Sequence, residues 1–412
     1  MTLVNIISAL GNNNIIYPLL IRDCGIENTA KCTMTYLQNA KKSKLIAKEA
    51  TRERIIEEYG TSAIWLGGIP LLNKICDKYL SFKKIDPKLD IRLFKGSKNQ
   101  NLKLNIEKFK NLATNETKTL INANKNKYIS AQIQKFILTT TIPIAIMGFI
   151  LPKLNFAYTN KKLNKNQNAN TINAPKMNDY ISSVKNKTIS FTGIEKLAQV
   201  SDLQKMMILD GGLTIGRVKN ARNKAEKIET IFKMAGMCYL NYIAPKKIEN
   251  ILNKLTKKIF KLNTNLDVKL LGSKEFINSI QNNSLKLPTQ LDEKGILDFI
   301  DNNPKSIFVN ECKKLDLVSF INDEVRDPRK FVETEKIANF QKDIQNFVSN
   351  AIKSDSIEKF AKKSIYAKSF NTILNIGLSS FLLAIILPKA QFMLRKLITG
   401  TELDPGIQEA LK

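Results

Sequence analysis

Two stretches of this chain carry no charge and are rich in apolar residues, the first almost wholly so and the second most densely over Phe381–Leu387, and both close on the same four residues. Phe136–Leu151 lies between Lys135 and Lys153 and ends in Ile150-Leu151-Pro152-Lys153. Phe370–Leu387 lies between Lys368 and Lys389 and ends in Ile386-Leu387-Pro388-Lys389. A helix that crosses the hydrocarbon of a bilayer needs about 20 apolar residues. The second stretch meets that length; the first is at the short limit and contains Pro143. Such charge-free runs are long for a soluble core, so the expectation is two helices that contact lipid or each other, with the flanking lysines reaching the headgroups. Proline removes a donor and disfavours helix in the residue before it, so Pro152 and Pro388 are expected to mark helix ends.

The shared ending belongs to a longer repeat. Lys127–Phe156 aligns without gaps on Lys363–Phe392, with Ile137/Ile373, Leu138/Leu374 and Phe156/Phe392 among the identities. Upstream, Leu89-Asp90-Ile91-Arg92-Leu93 matches Leu266-Asp267-Val268-Lys269-Leu270, and each is followed by Gly-Ser-Lys, at Gly96 and at Gly272. Trp65-Leu66 matches Tyr239-Leu240, and Asp23-Cys24-Gly25-Ile26 matches Asp210-Gly211-Gly212-Leu213. The matches run in one order, and the spacing implies an insertion of 59 residues after Gly272. Internal repeats of this kind signal a duplicated structural unit.

The expected fold class is therefore mainly α: an internally duplicated helical membrane protein with two pseudo-equivalent halves and a helical insertion in the second half. The first repeat covers 1–159 and ends in the apolar segment 136–151. An Asn/Lys-rich linker covers 160–178, and the second repeat covers 179–412 and ends in the apolar segment 370–387. The insertion, about 275–355, is slightly acidic in an otherwise basic chain and reads as a small helical subdomain, with amphipathic stretches at Ile296–Ile300 and Phe331–Phe347. Its charge opposes the rest of the chain, so it is expected either to fold back on a basic face or to bind a protein partner. Each copy is expected to open with a turn around Asp-x-Gly and continue into a charged amphipathic helix. In the second copy Val218, Ala221, Ala225, Ile228, Phe232 and Ala235 form one apolar stripe. Pro70 and Pro245 fit the first turn of the helices that follow.

The net charge of +28 points towards anionic partners, but Asn, Ile and Lys are over-used together, as AT-rich codons dictate, and the lysines are spread rather than clustered. A lipid bilayer is the expected partner, and nucleic acid is not. Histidine is absent, which removes Ser-His and Cys-His nucleophile pairs, His general bases and His-containing zinc sites. The five cysteines, Cys24, Cys32, Cys76, Cys238 and Cys312, form no C-x-x-C pair and read as scattered reduced thiols, mostly buried.

No catalytic, cofactor-binding or metal-binding residue is nominated, and no cofactor is expected. Gly211-Gly212-Leu-Thr-Ile-Gly216 lacks the spacing of a dinucleotide fingerprint and reads as a turn before a helix. Gly96-Ser97-Lys98 and Gly272-Ser273-Lys274 read as helix N-caps on Ser. The acidic group Asp292, Glu293, Asp298 and Asp301 lacks calcium-loop spacing, and Asp323–Arg329 reads as a salt-bridged turn. The expected function is that of a non-catalytic integral membrane protein of structural or scaffolding type. The alternatives are a carrier or lipid-handling protein with a site between the two repeats, and a basic peripheral or nucleic-acid-binding protein. The expected location is a membrane, plasma or inner, with no cleavable signal peptide, because no Lys or Arg precedes the apolar residues of Met1–Leu10 and Asn12–Asn14 interrupt them.

Overall fold

The computed structural model describes residues 3–11, 20–41, 43–90, 92, 115, 119, 125–164, 200, 202–260, 262 and 265–410. The linker at 160–178 lies outside them from residue 165 onward, as does Gly96-Ser97-Lys98. The fold is mainly helical. The chain runs through α1 (Leu3–Gly11), α2 (Asn28–Ala40), α3 (Lys44–Ala63), α4 (Ile69–Phe82), α5 (Lys125–Ile144), α6 (Leu151–Asn164), α7 (Asp202–Asn220), α8 (Lys224–Tyr242) and α9 (Ala244–Phe260). It continues through α10 (Val268–Leu271), α11 (Lys274–Gln281), α12 (Glu293–Asn302), α13 (Ile307–Lys314), α14 (Thr334–Ile352), α15 (Ile357–Phe381), α16 (Leu387–Thr399) and α17 (Pro405–Ala410). Interposed π-helical turns are π1 (Leu20–Glu27), π2 (Ile64–Gly68), π3 (Ala145–Ile150) and π4 (Leu382–Ile386). Strands β1 (Phe320–Ile321) and β2 (Val325–Arg326) form a short antiparallel hairpin.

The chain divides into two compact units. One comprises Met1–Pro18, Lys78–Tyr128 and Pro245–Gly377; the other comprises Leu19–Asp77, Ile129–Ala244 and Leu378–Lys412.

The first unit folds as an apolar core dictates. Helices α10 to α15 enclose Leu271, Phe276, Ile296, Ile300, Phe308, Val309, Ile337, Ile344 and Phe347. Phe276 stacks on Phe347 and Phe308 on Phe340. Helix starts follow from capping side chains. Asp267, Ser273, Asp292 and Ser306 each accept a backbone N–H from the first turn, so Ser273 is the N-cap its sequence implies. The core draws on Leu266, Leu270 and Ala361, so the folded body is larger than the insertion 275–355. It closes on the segment before residue 93: Asp90 N–H donates to the Arg329 carbonyl at 2.8 Å, and Arg92 pairs with Glu333. Arg326, 2% exposed, holds Asp301 through two nitrogens at 2.8 and 3.2 Å. Asp292 caps a helix and Asp301 neutralises an arginine, so the acidic group is structural; among the described residues no set of Cys, Asp and Glu is placed to hold a metal ion. Asp323–Arg329 is a salt-bridged turn, with Arg329 bonded to Asp327 at 2.9 Å and Asp86 at 3.2 Å.

The second unit inverts this arrangement. Helix α3 buries Glu49, Glu53 and Glu58 and exposes Leu45, Ile55 and Tyr59. Helix α2 buries Asn28, Lys31, Thr35 and Asn39 and exposes Tyr36 and Leu37. Helix α8 buries Glu229 and Lys233 and exposes Ile228, Ile231 and Phe232. On α16, Arg395 is 2% exposed and Leu397 is 83% exposed. The apolar stripe expected over Val218–Ala235 is thus corrected twice. The chain breaks between Asn220 and Lys224, and Ile228, Phe232 and Ala235 face outward while the charges between them face inward.

The packing within this unit has a paired pattern. Helix α2 packs on α3 as α7 packs on α8, and α3 packs on α6 as α8 packs on α16. Helix α7 lies against π3, and α2 lies against π4. The expectation that Pro152 and Pro388 end helices is corrected. Both sit one residue inside a helix that continues, immediately after π3 and π4. Proline has no N–H to donate and its ring meets the carbonyl four residues back; a π turn widens the preceding turn and relieves both demands. The Asp-x-Gly segments are likewise helical, Asp23–Ile26 in π1 and Asp210–Leu213 in α7. The glycines of α7 serve a close crossing: a Cβ on Gly216 would lie 2.7 Å from the Gly148 backbone, and one on Gly212 2.3 Å from Ile144.

Two outcomes are expected. Gly216→Val forces α7 away from π3 and costs about 1–3 kcal/mol, as overpacking does; an unchanged melting temperature of the detergent-solubilised chain would show that the crossing opens freely. Asp301→Asn removes a charge partner of the buried Arg326 and costs about 3 kcal/mol, read as earlier urea-induced exposure of the fluorescent or proteolytic probes in that unit.

Candidate functional site

The inward faces of the second unit meet in clusters of ion pairs. Helix α3 supplies Glu49, Glu53 and Glu57 at intervals of four, which puts them on one face, with Arg54 and Glu58 alongside. Arg222, in the turn between α7 and α8, holds Glu53 through two nitrogens at 3.1 and 3.0 Å and Glu226 at 2.9 Å. Arg395 of α16 binds Glu229 at 2.9 Å through Nε and Asp404 at 3.4 Å, and Gln391 donates to the same Glu229 carboxylate. Arg54 reaches Glu57 at 3.2 Å and Glu58 at 3.4 Å. Lys233 bridges Glu57 at 3.2 Å and Glu58 at 2.7 Å, Arg217 meets Glu57 at 2.9 Å, and Lys31 pairs with Glu27 and, at 3.6 Å, with Glu58.

Matching positions in the paired helices do matching work. Glu49 and Glu229 are each the sixth residue of their helices α3 and α8, and both are buried. Asn155 and Gln391 are each the fifth residue of α6 and α16, and both are buried. Thr159 and Arg395 follow four residues later, again buried. Around Glu49 the cations are Arg52 at 3.0 Å and Lys162 at 2.7 Å, and Arg52 also reaches Asn155 at 3.1 Å and Thr159. Around Glu229 the cation comes from α16 itself.

The network surrounds a cavity of about 70 Å³, lined by Glu53, Arg54, Glu57, Asn155, Arg217, Arg222, Glu226, Glu229, Lys233, Gln391 and Asp404, with Leu151, Phe156 and Met234 among its apolar neighbours. A water needs about 10–15 Å³ on this measure, so the space holds roughly five. A cation–π contact lies in its lining, Arg222 over Phe156 at 4.1 Å. The Arg217 Nε–H is buried and has no acceptor.

No residue of this cavity was nominated from the sequence. The available signal was the four-residue spacing of Glu49, Glu53 and Glu57, which by itself describes a solvated helix face as well as a buried one. The cysteines take no part. Cys32 and Cys312 are buried and Cys24, Cys76 and Cys238 half-buried, all as free thiols. Burial, with Glu311 beside it, pushes the Cys312 thiol above its ordinary range, so it stays protonated and inert. Comparisons with protein-family models, with curated proteins and with solved structures return no match.

The ion pairs are load-sharing partners, and removing one partner should reveal it. Arg395→Met leaves Glu229 buried beside Gln391 alone and is expected to cost about 3–5 kcal/mol; Glu229→Leu is expected to cost a similar amount. The double variant is expected to lose less than the sum, because neither Glu229 nor Arg395 is then left buried without the other. Additive losses in a thermal-unfolding double-mutant cycle would contradict the coupling.

Proposed function

We propose that this chain is an integral membrane protein of two diverged copies, and that its polar interior handles a small polar solute, as a carrier does. The observation that carries this is the inverted unit: charges and a cavity inside, apolar side chains outside. In water, each large apolar side chain left exposed forgoes about 1.5–3 kcal/mol of burial, and α2, α3, α7, α8 and α16 present such side chains on their outer faces. In a bilayer the same arrangement is the favourable one, since ionisable groups must face the bundle interior or a wet cavity.

Two helices are long and apolar enough to cross a membrane among the described residues, Tyr128–Lys162 and Ile357–Thr399, with mean hydropathies of 1.7 and 1.9 over their apolar 18-residue windows. Only 33% of each apolar window is buried, whereas a soluble core helix is mostly buried, so the exposed remainder supports contact with lipid. Duplication is supported by the coincidence of π3 with π4 before the shared Leu-Pro, by the paired packing, and by the matched Glu, amide and following positions. Carriers commonly place their sites where such repeats meet. The scaffolding alternative stands lower, because a scaffold gains nothing from desolvating this many charges, each at a cost of several kcal/mol before pairing. The nucleic-acid alternative is lower still, because Arg54, Arg217, Arg222 and Arg395 turn inward to carboxylates.

The test has two parts. The expressed chain is expected to resist carbonate extraction. On a cysteine-free background, Ala221→Cys or Thr230→Cys, beside the cavity, is expected to react with a charged thiosulfonate in membranes, whereas Ile231→Cys on the outer face is not. Proteoliposomes are expected to equilibrate solutes of a few heavy atoms faster than empty vesicles and to exclude sugars. Release by carbonate, reversed labelling, or solute exchange no faster than in empty vesicles would overturn the proposal.

A further inference from the structure

The charges around the cavity fall into two groups, and no ion pair joins them among the described residues. Arg222 and Arg395 hold Glu53, Glu226, Glu229 and Asp404. Lys31, Arg54, Arg217 and Lys233 hold Glu27, Glu57 and Glu58. With every group ionised, the first set has two more carboxylates than cations, and the second has one more cation than carboxylates. Arg222, Glu53, Glu226, Glu229 and Asp404 of the first set and Arg54, Arg217, Lys233 and Glu57 of the second line the same cavity of about 70 Å³. Part of the lining is therefore acidic and part basic, in a desolvated space where each excess charge is costly unless something of opposite sign meets it.

The basic part of the lining also offers a specific bond. Arg217 is 7% exposed, its Nη1 reaches Glu57 at 2.9 Å, its Nη2 donates to Thr61 at 2.9 Å, and its Nε–H is left without an acceptor. A guanidinium with a spare, buried N–H is suited to a carboxylate oxygen, and Arg54 beside it uses Nη1 for Glu57 and Glu58. The volume admits about five to seven heavy atoms, by comparison with the space one water needs.

We propose that the cavity binds a small zwitterion: a carboxylate and an ammonium group on a short carbon chain. The carboxylate lies towards Arg217 and Arg54, and the ammonium lies towards Glu53, Glu226 and Asp404. A lone cation would satisfy the acidic part only, and a lone anion the basic part only. The inference rests on the carrier reading for its purpose but on the cavity alone for its geometry.

The experiment uses the full chain purified in detergent, with glycine and β-alanine as probes and methylammonium, acetate and sodium chloride as their halves. Glycine or β-alanine is expected to raise the melting temperature saturably and to give a saturation-transfer NMR signal; neither half is expected to do so at the same concentration. Arg217→Gln is expected to weaken that binding by roughly tenfold or more, the worth of a charge-assisted bond. Should that variant fail to fold, the comparison of zwitterion with its halves on the unaltered chain decides alone. Absence of saturable binding would overturn the proposal, and so would methylammonium or acetate binding as well as glycine, which would make the cavity a simple cation or anion site. A chain that binds glycine yet is released by carbonate refutes the carrier reading and keeps this one. A membrane-embedded chain with a wet interior that ignores every zwitterion does the reverse.

Discussion

A charge removed from water must find a partner, and in the unit built from α2, α3, α6, α7, α8 and α16 that requirement decides which way every helix turns. Glu53 and Glu57 on α3 meet Arg222 and Arg217 at 3.0 and 2.9 Å, and Glu229 on α8 meets Arg395 on α16. Each pair ties together segments distant in sequence, so the ion pairs set helix register as well as helix facing. They do so at a net energetic cost that an apolar core would avoid. A fold that keeps them is organised around what they surround, which here is a cavity lined by charges of both signs.

Two sets of helices in that unit, α2 with α3 and α6, and α7 with α8 and α16, pack alike. The buried glutamate is common to both, at Glu49 and Glu229, and so is the buried amide one helix away, at Asn155 and Gln391. Each carboxylate takes a cation from that neighbouring helix, Lys162 of α6 for Glu49 and Arg395 of α16 for Glu229, and Glu49 has Arg52 of its own helix besides. The π turns before Leu151-Pro152 and Leu387-Pro388 are a second common device. They let an apolar helix pass a proline without ending, so one rod carries both the apolar stretch and the polar residues that follow it.

The other unit obeys the opposite rule within the same chain. Its helices bury Phe276, Phe308, Ile337 and Phe347 and leave most of their charges to solvent, with capping side chains at four consecutive helix starts from Asp267 to Ser306. Arg326 with Asp301 is its one deep ion pair of this strength among the described residues, and it fastens the hairpin to α12. Ordinary core packing thus accounts for this unit, including most of the acidic insertion, where Asp292 caps α12, Asp301 pairs with Arg326 and Asp327 pairs with Arg329.

Helix content, the two apolar segments and the amphipathic helix near Phe331–Phe347 were legible in the sequence, because they rest on local composition and spacing. Ser273 as a cap and Asp323–Arg329 as a salt-bridged turn were legible for the same reason. The facing of α3 and α8 was not. A helix with charges on one side and Ile or Phe on the other has the same periodicity whether the charges look out or in, so Ile228 and Phe232 read as core when Glu229 and Lys233 occupy it. The prolines misled because a π turn leaves no mark in residue spacing, and the glycines of α7 misled because a turn and a close helix crossing ask for the same absent side chain. The sequence by itself determined that the chain is mainly helical and which two stretches are long, apolar and free of charge. Only the tertiary structure decided which face of each helix is inside, because that choice is made by the partners, Arg222, Arg217 and Arg395, that distant segments bring to each carboxylate.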